Sequence, residues 1–138
     1  AGPAGFEPPE DIVALARAAA VGGAEIVVTD DPVRAVEGAD AVYTDVWASM
    51  GQEAEAAERR ALFQPYQVDE ALFGQAGPEA IFLHCLPAFH NTETELAKRF
   101  PDICEVEDEV FSGPQSRVFD EAENRLHSQK ALLEFLIA

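Results

Sequence analysis

Short apolar runs alternate with helical patterns along this chain, and this alternation limits its possible folds more than any other feature. Runs at residues 25–29, 41–45 and 80–84 are bounded by turn residues, which is typical of strands. A fourth, edge strand is predicted at residues 104–106. Strands that alternate with helices require right-handed crossovers. The pattern therefore predicts a doubly wound α/β fold, with a parallel sheet and helices on both faces.

Helical patterns separate the predicted strands, and several have clear start and stop signals. After a loop at residues 1–9, a first helix is predicted from Asp11 to a turn at Gly22 and Gly23. Asp69 has the residue type of a helix N-cap. Further helices are predicted at residues 32–38, 53–63, 69–73, 92–100 and 116–138. The last is the longest, and one stripe along it is apolar: Val118, Ala122, Leu126, Leu133 and Ile137.

Length and charge restrict the kind of domain and its partners. With 138 residues, 48% of them hydrophobic, the chain can form one domain with a hydrophobic core. Its formal net charge of −17 repels phosphate backbones and anionic lipids, so we expect no nucleic acid and no membrane partner. Cys85 and Cys104 do not form a disulfide framework, which favours a cytoplasmic location. The two cysteines and the three histidines together do not form a set of zinc ligands, so we expect no metal and no other cofactor.

Two polar side chains lie where predicted strands end. Asp45 follows one strand and Cys85 follows another. In a parallel sheet both would border the crevice outside the carboxyl ends of the strands, where ligands bind. A carboxylate there can hold an ammonium group, and Ser49 with Gly51 allows backbone amides to approach a carboxylate, so a zwitterionic amino acid would fit. The alternatives are a turn or cap role for Asp45 and a small buried hydrophobe for Cys85.

Arg125 lies on the apolar stripe of the last predicted helix. It follows Val118 by seven positions, which places it about 20° from that residue around the helix. A charge on a core-facing stripe needs an anionic partner, so we expect Arg125 to face the crevice or a neighbouring element and to avoid bulk solvent. The partner can be a neighbouring carboxylate or a ligand, and the planar guanidinium suits phosphate. Cys104 and His127 are interpreted as structural.

Four local patterns occur in order along the chain. They are TDVWASMG at 44–51, FLHCLPAFH at 82–90, EDEVF at 107–111 and AENRLH at 122–127. This series resembles ornithine carbamoyltransferase, of the aspartate/ornithine carbamoyltransferase superfamily, especially the bacterial form with Ala-Phe-His after HCLP. The resemblance extends over nearly the whole chain. A relative that uses aspartate would have HPLP, and one that uses putrescine would lack Ser-Met-Gly.

The resemblance implies a role for each matching residue on the ornithine side. Asp45, Ser49 and Met50 resemble the residues that bind the α-amino and α-carboxylate groups of L-ornithine. Cys85 resembles the active-site cysteine near the δ-amine. Carbamoyl transfer would then be a direct attack by the neutral δ-amine on carbamoyl phosphate, in which Asp45 and Cys85 position the amine and help to deprotonate it.

Residues matching the carbamoyl-phosphate side follow in the chain. Cys85 and Leu86 resemble residues that line the carbamoyl-phosphate site, and Arg125 resembles the arginine that reaches this substrate. Asp45, Cys85 and Arg125 are thus the implied catalytic residues. The resemblance also implies a cis peptide bond between Leu86 and Pro87.

The family's phosphate-binding Ser-x-Arg-Thr-Arg motif does not occur in the 138 residues. The resemblance therefore implies that residues 1–138 are a partial ornithine-binding domain, incomplete at its N-terminal strand and inactive alone. Residues 116–138 would pack toward a separate carbamoyl-phosphate domain, and full-length members would form a homotrimer or higher oligomer. Two alternatives stay open, namely a non-enzymatic amino-acid-binding fragment and a carbamoyltransferase for another amine.

Overall fold

The computed structural model describes residues 1–48, 56–99 and 103–137. Two strands, β1 (Ala41–Thr44) and β2 (Ile81–His84), pair in parallel. Ala41 lies opposite Ile81, and Thr44 lies opposite His84. The parallel α/β sheet predicted from the sequence is therefore confirmed. Each of its strands is a short apolar run between turn residues. Ser49 and Met50 lie outside the described residues.

The described part of the chain contains seven helices. Asp31 and Asp69 act as N-caps, since each carboxylate accepts a hydrogen bond from a backbone N–H three residues later. A 3₁₀ turn at Gln64–Tyr66, which the sequence did not predict, separates two of the helices. The helices are α1 (Glu10–Ala19), α2 (Pro32–Val36), α3 (Ala56–Phe63), α4 (Glu70–Phe73), α5 (Glu95–Arg99), α6 (Asp108–Phe111) and α7 (Val118–Ile137).

Two of the four predicted strands are wrong. Residues 25–29 form no strand, and Val27 and Val28 are exposed. Their β-branched side chains suit a strand, but a strand also needs a neighbour, and none of the described residues pairs with them in a sheet. Residues 104–106 form only a single bridge, between Val106 and Val68. The helix predicted from residue 92 is also shorter than expected, because α5 begins at Glu95.

The core lies between the sheet, α4, α6 and the start of α7. Phe82 is its centre, fully buried and in edge-to-face contact with Phe73 at 6.2 Å between ring centroids. On the side of β2 away from β1, Phe82 N–H donates to Gln115 O, and Arg117 N–H donates to Phe82 O. The segment 115–117 therefore runs beside β2 and fixes the start of α7 next to the sheet. The buried members of this core are Val36, Val42, Val68, Phe82, Val106, Val110, Phe111 and Val118.

Helix α7 leaves the core after its first turn. Val118 is buried, but Leu126, Leu133 and Ile137 are exposed, as is every residue from 122 to 137. The predicted stripe is therefore only buried at its beginning, and the expectation of a core-facing stripe along the whole helix is wrong. No helix in the described ranges is long and apolar enough to cross a membrane.

Replacing Phe82 tests the assignment of the core. We expect Phe82→Ala to lower the free energy of unfolding by about 3–5 kcal/mol, because it removes a fully buried ring and leaves a cavity. Leu132→Ala, at an exposed position on α7, should change it by less than about 0.5 kcal/mol. Urea unfolding followed by circular dichroism measures both. Equal losses in the two variants would contradict the assignment.

Candidate active site

The register of the sheet brings Asp45 and Cys85 together. They directly follow the paired residues Thr44 and His84, and the Cys85 thiol donates a hydrogen bond to Asp45 Oδ1 at 2.9 Å. The same oxygen accepts from Val46 N–H at 2.7 Å. The two side chains meet at the strand ends as predicted, but they line two different cavities and not a single crevice. Ser49, the third residue predicted for this crevice, lies outside the described residues.

Asp45 and Cys85 stand between two cavities. Asp45 lines one of about 490 Å³ together with Thr44 and Trp47. Cys85 lines another of about 760 Å³. Tyr43 borders both. The hydrogen-bonded pair is therefore placed to contact ligands on either side.

The thiol of Cys85 is protonated at neutral pH. Although the residue is partly open to solvent, desolvation together with the hydrogen bond to Asp45 and its negative charge raises the pKa of Cys85 to about 11. A thiolate is the nucleophilic form of cysteine, so this site does not activate Cys85 as a nucleophile. It presents a hydrogen-bonded acid–thiol pair, which can orient a ligand amine.

Tyr43 and Glu121 extend the polar surface beside Cys85. A hydrogen bond to the Glu121 carboxylate, followed by desolvation and nearby negative charge, raises the pKa of Tyr43 to about 12. Glu121 Oε2 also accepts from His84 N–H at 3.2 Å, which joins α7 to the end of β2. With Asp45, this gives the strand ends two carboxylates, and their negative potential favours a cationic ligand group.

Tyr43 and Glu121 were not among the residues predicted for the site, although periodicity could have identified them. Tyr43 precedes Asp45 by two residues and thus lies on the same face of an extended chain. Glu121 precedes Arg125 by four residues, which places both on one side of a helix. Nothing in the sequence, however, fixes the rotation of α7 about its axis relative to β2.

The backbone of the loop after β2 is held by hydrogen bonds to buried side chains. Leu86 N–H donates to His84 Nδ1 at 2.9 Å, and the peptide bond between Leu86 and Pro87 is cis, as the motif implied. Phe89 N–H donates to Glu105 Oε1 at 2.6 Å. His84 and Glu105 are both fully buried, and His84 Nε2 lies 3.3 Å from Glu105 Oε1 without hydrogen-bond geometry. This buried pair supports the backbone on which Cys85 lies.

Arg125 lines the larger cavity together with Cys85 and Leu86. The expectation that it faces the crevice is confirmed. The expectation that it avoids bulk solvent is wrong, because the residue is exposed and, within the described residues, forms no ion pair. Glu121 lies one turn earlier and lines the same cavity. The cavity thus has a guanidinium on one wall, which suits an anionic group, near the acid–thiol pair.

Cys104 and His127, which were interpreted as structural from the sequence, do not line this cavity. The Cys104 thiol donates to the backbone oxygen of Val106 at 2.9 Å, within the segment that precedes α6. His127 is exposed on α7.

A parallel α/β domain with an acid–thiol pair at its strand ends defines the broad class of this protein. It is a small-molecule-binding domain of the type in which ligands occupy the crevice at the carboxyl ends of the strands.

Comparison with known proteins gives the family. Residues 1–136 match the family model for aspartate/ornithine carbamoyltransferase, Asp/Orn binding domain. The ornithine carbamoyltransferase of Symbiobacterium thermophilum is 56% identical over 140 residues, covering 100% of this chain and 41% of the relative. That of Trichormus variabilis is 53% identical over 135 residues, covering 98% and 40%. The chain belongs to the aspartate/ornithine carbamoyltransferase family and corresponds to its Asp/Orn binding domain.

Solved structures agree with this assignment. The crystal structure of ornithine carbamoyltransferase from Gloeobacter violaceus has a TM-score of 0.79 at 42% identity, over 100% of this chain and 41% of that chain. The anabolic ornithine carbamoyltransferase from Campylobacter jejuni has a TM-score of 0.81 at 35% identity, over 99% and 41%. This chain therefore spans about 40% of the length of the relatives that it matches.

Neutralising Asp45 tests the electrostatics of the pair. We expect Asp45→Asn to lower the pKa of Cys85 from about 11, because the negative charge that disfavours the thiolate is removed. The rate of iodoacetamide alkylation against pH, in a Cys104→Ser background with one thiol, measures this pKa. Asp40→Asn is the matched control, since Asp40 lies at the opposite end of β1. An unchanged or raised pKa in Asp45→Asn would contradict the contact.

Proposed function

We propose that the protein containing this chain is an ornithine carbamoyltransferase. It transfers the carbamoyl group of carbamoyl phosphate to the δ-amine of L-ornithine and forms L-citrulline and phosphate, a reaction of arginine metabolism. The observation that carries this proposal is the contact between Cys85 and Asp45 at adjacent strand ends, which joins the two motifs typical of the ornithine enzymes, Asp-x-Trp-x-Ser-Met-Gly and HCLP.

Ornithine suits the charges at the strand ends. Asp45, with Glu121 nearby, provides the negative potential that holds ammonium groups close to Cys85. Ser49 and Met50 follow Asp45 in the chain, and in this proposal they contribute to binding the α-amino and α-carboxylate groups. The δ-amine then lies at Cys85, where the protonated thiol and its carboxylate partner orient the nitrogen.

Carbamoyl phosphate fits the other side of the pair. Cys85 and Leu86 line the larger cavity, and Arg125 lies in its wall. In this position Leu86 packs beside the carbamoyl group, and Arg125 stabilises the charge that develops on the leaving phosphate. Arg125 is exposed and within the described residues forms no ion pair, so its guanidinium is available to an anion.

The reaction is a direct transfer. The neutral δ-nitrogen attacks the carbonyl carbon, the N–C bond forms while the bond from carbon to the phosphate oxygen breaks, and the departing phosphate is a basic acceptor for the surplus proton of the nitrogen. Because burial and Asp45 keep Cys85 as a thiol, no covalent cysteine intermediate is needed. Rate acceleration comes from holding the two substrates in contact and from cationic stabilisation of phosphate.

Helix α7 provides the surface for a second domain. We assign residues 1–138 as the partial ornithine-binding domain, with residues 116–138 packing toward a carbamoyl-phosphate domain. Leu126, Leu133 and Ile137 are large apolar side chains on one face of the helix that are more than half exposed, and such a patch is typical of an interface. A homotrimer or higher oligomer and a cytoplasmic location complete the proposal, the latter because both cysteines are free.

A chimera tests the proposed reaction. We expect the 138-residue chain alone to form no citrulline at ordinary enzyme rates, because the family's phosphate-binding Ser-x-Arg-Thr-Arg motif is not in it. Joined to the preceding part of the Gloeobacter violaceus enzyme, it should turn over at about 1–10³ s⁻¹. In that chimera, Asp45→Asn should lower kcat/KM by about 10² or more, whereas Asp40→Asn should leave it unchanged. Colorimetric citrulline assays over a range of ornithine concentrations, at saturating carbamoyl phosphate, give kcat and KM for all four proteins.

Three outcomes would contradict the proposal. Full turnover by the 138-residue chain alone would show that a second domain is not needed. A folded chimera that binds ornithine without forming citrulline would favour a non-enzymatic amino-acid-binding role. Faster carbamoylation of lysine or acetylornithine than of ornithine, each offered in parallel, would favour a different amine as the substrate.

The same chimera tests the role of α7. We expect Leu133→Glu to lower the Tm of the chimera by several degrees, because a buried carboxylate without a partner costs several kcal/mol. In the 138-residue chain this position is exposed, so the same change should leave its Tm nearly unchanged. Ala131→Glu, an acidic change at an exposed position about 160° around the same helix from Leu133, is the control. Similar Tm changes from Leu133→Glu in both proteins would contradict the docking.

A further inference from the structure

The far end of the loop that carries Cys85 is held by a second acid. His90 Nδ1 hydrogen-bonds to Asp108 Oδ1 on α6. The imidazole also stacks on Phe111, with 3.8 Å between ring centroids and 12° between ring planes. Asn91 and Ser112 donate further hydrogen bonds to the same carboxylate. The hydrogen bond from His90 holds the pKa of Asp108 below its usual value, as expected for a carboxylate that accepts several donors.

These contacts are the last of a series of hydrogen bonds along the loop from Cys85 to His90. Its first residue, Cys85, is bonded to Asp45 at 2.9 Å. In its middle, the backbone N–H groups of Leu86 and Phe89 donate to the buried His84 and Glu105. Its last residue is His90. The loop is thus fixed at both ends by side chains that bond to carboxylates on different elements, and between them by backbone hydrogen bonds.

We propose that His90 is a positioning residue of this active site: the bond to Asp108 and the stacking on Phe111 fix the loop so that Cys85 stays against Asp45 and Leu86 stays in the wall of the cavity. The consequence for catalysis rests on the proposed function, but the effect on Cys85 does not. His90 acts through the backbone of the loop and through these two neighbours.

Both interactions of the imidazole are needed for this role. Phe111 is buried and provides a flat surface, but stacking alone allows the ring to slide and rotate. A charge-assisted hydrogen bond to Asp108 is directional and selects one rotation. His90 itself lines the cavity with Cys85 and Leu86, so a shift of its backbone changes the shape of the substrate site directly.

Thiol reactivity measures the position of Cys85 without any catalysis. In a Cys104→Ser background, we expect His90→Phe, which keeps an aromatic ring but cannot bond to Asp108, to loosen Cys85 from Asp45. A fall of one unit in the pKa of the thiol gives about a threefold faster alkylation near pH 8, since more thiolate offsets its weaker nucleophilicity. His90→Gln, which retains an N–H donor, should react at nearly the rate of the parent, and Asp108→Asn should follow His90→Phe in direction.

The matched control is His127→Phe, the same change at an exposed histidine on α7. Circular dichroism and urea unfolding establish that each variant is folded. Unchanged Cys85 reactivity in folded His90→Phe and Asp108→Asn would overturn the proposal, and so would an equal response in His127→Phe. If His90→Phe does not fold, the comparison of His90→Gln with Asp108→Asn decides, because the proposal requires the second to react faster than the first.

In the chimera with the Gloeobacter violaceus half, His90→Phe should raise the KM for ornithine and lower kcat together, with recovery in His90→Gln. A merely structural residue would lower the unfolding midpoint without moving the pH profile of Cys85. If the chimera makes no citrulline but the thiol of His90→Phe still responds, the proposed function fails and the positioning role stands. If citrulline is made and the thiol does not respond, the positioning role fails and the proposed function stands.

Discussion

The parallel register of β1 and β2 is the constraint on which the rest of the site depends. It places Thr44 opposite His84, and the next residue of each strand then meets across the sheet. In a strand, a slip by one residue would exchange the two faces, so that Cys85 would enter the core and His84 would face the crevice. The burial of Phe82 and His84 on the inner side therefore also determines which residues the site can use.

The net charge of the whole molecule and the local charges at its site favour different ligands. A net charge of −17 makes the surface unfavourable to polyanions, yet one wall of the larger cavity carries Arg125. At close range a guanidinium that contacts an anion outweighs distant charges, which salt screens over about 8–10 Å. The strand ends meanwhile add carboxylates at Asp45 and Glu121. Glu121 lines the same cavity as Arg125, so groups that favour a cationic and an anionic ligand lie close together around the acid–thiol pair, as the proposed transfer from carbamoyl phosphate to an amine requires.

Sequence patterns were reliable where local chemistry determines structure. Strands β1 and β2, the N-cap at Asp69, and the meeting of Asp45 with Cys85 all follow from apolar runs, cap residues and the geometry of parallel sheets. The failures share one cause. Residues 25–29 and the distal part of α7 have the composition of buried elements, but burial depends on a neighbour, and the described part of the chain provides none. Likewise, the partnership of Glu121 with Tyr43 depends on how α7 lies against β2, which no local pattern fixes.

The attachment of α7 to the sheet has a mechanical consequence. The segment 115–117 is hydrogen-bonded along β2, and Glu121 accepts from the backbone N–H of His84, one residue before Cys85. The exposed four-fifths of the helix therefore acts as a lever whose fixed end lies beside the Cys85 thiol. A force that tilts its free end is delivered to the strand end through the backbone hydrogen bonds of segment 115–117 and the carboxylate of Glu121.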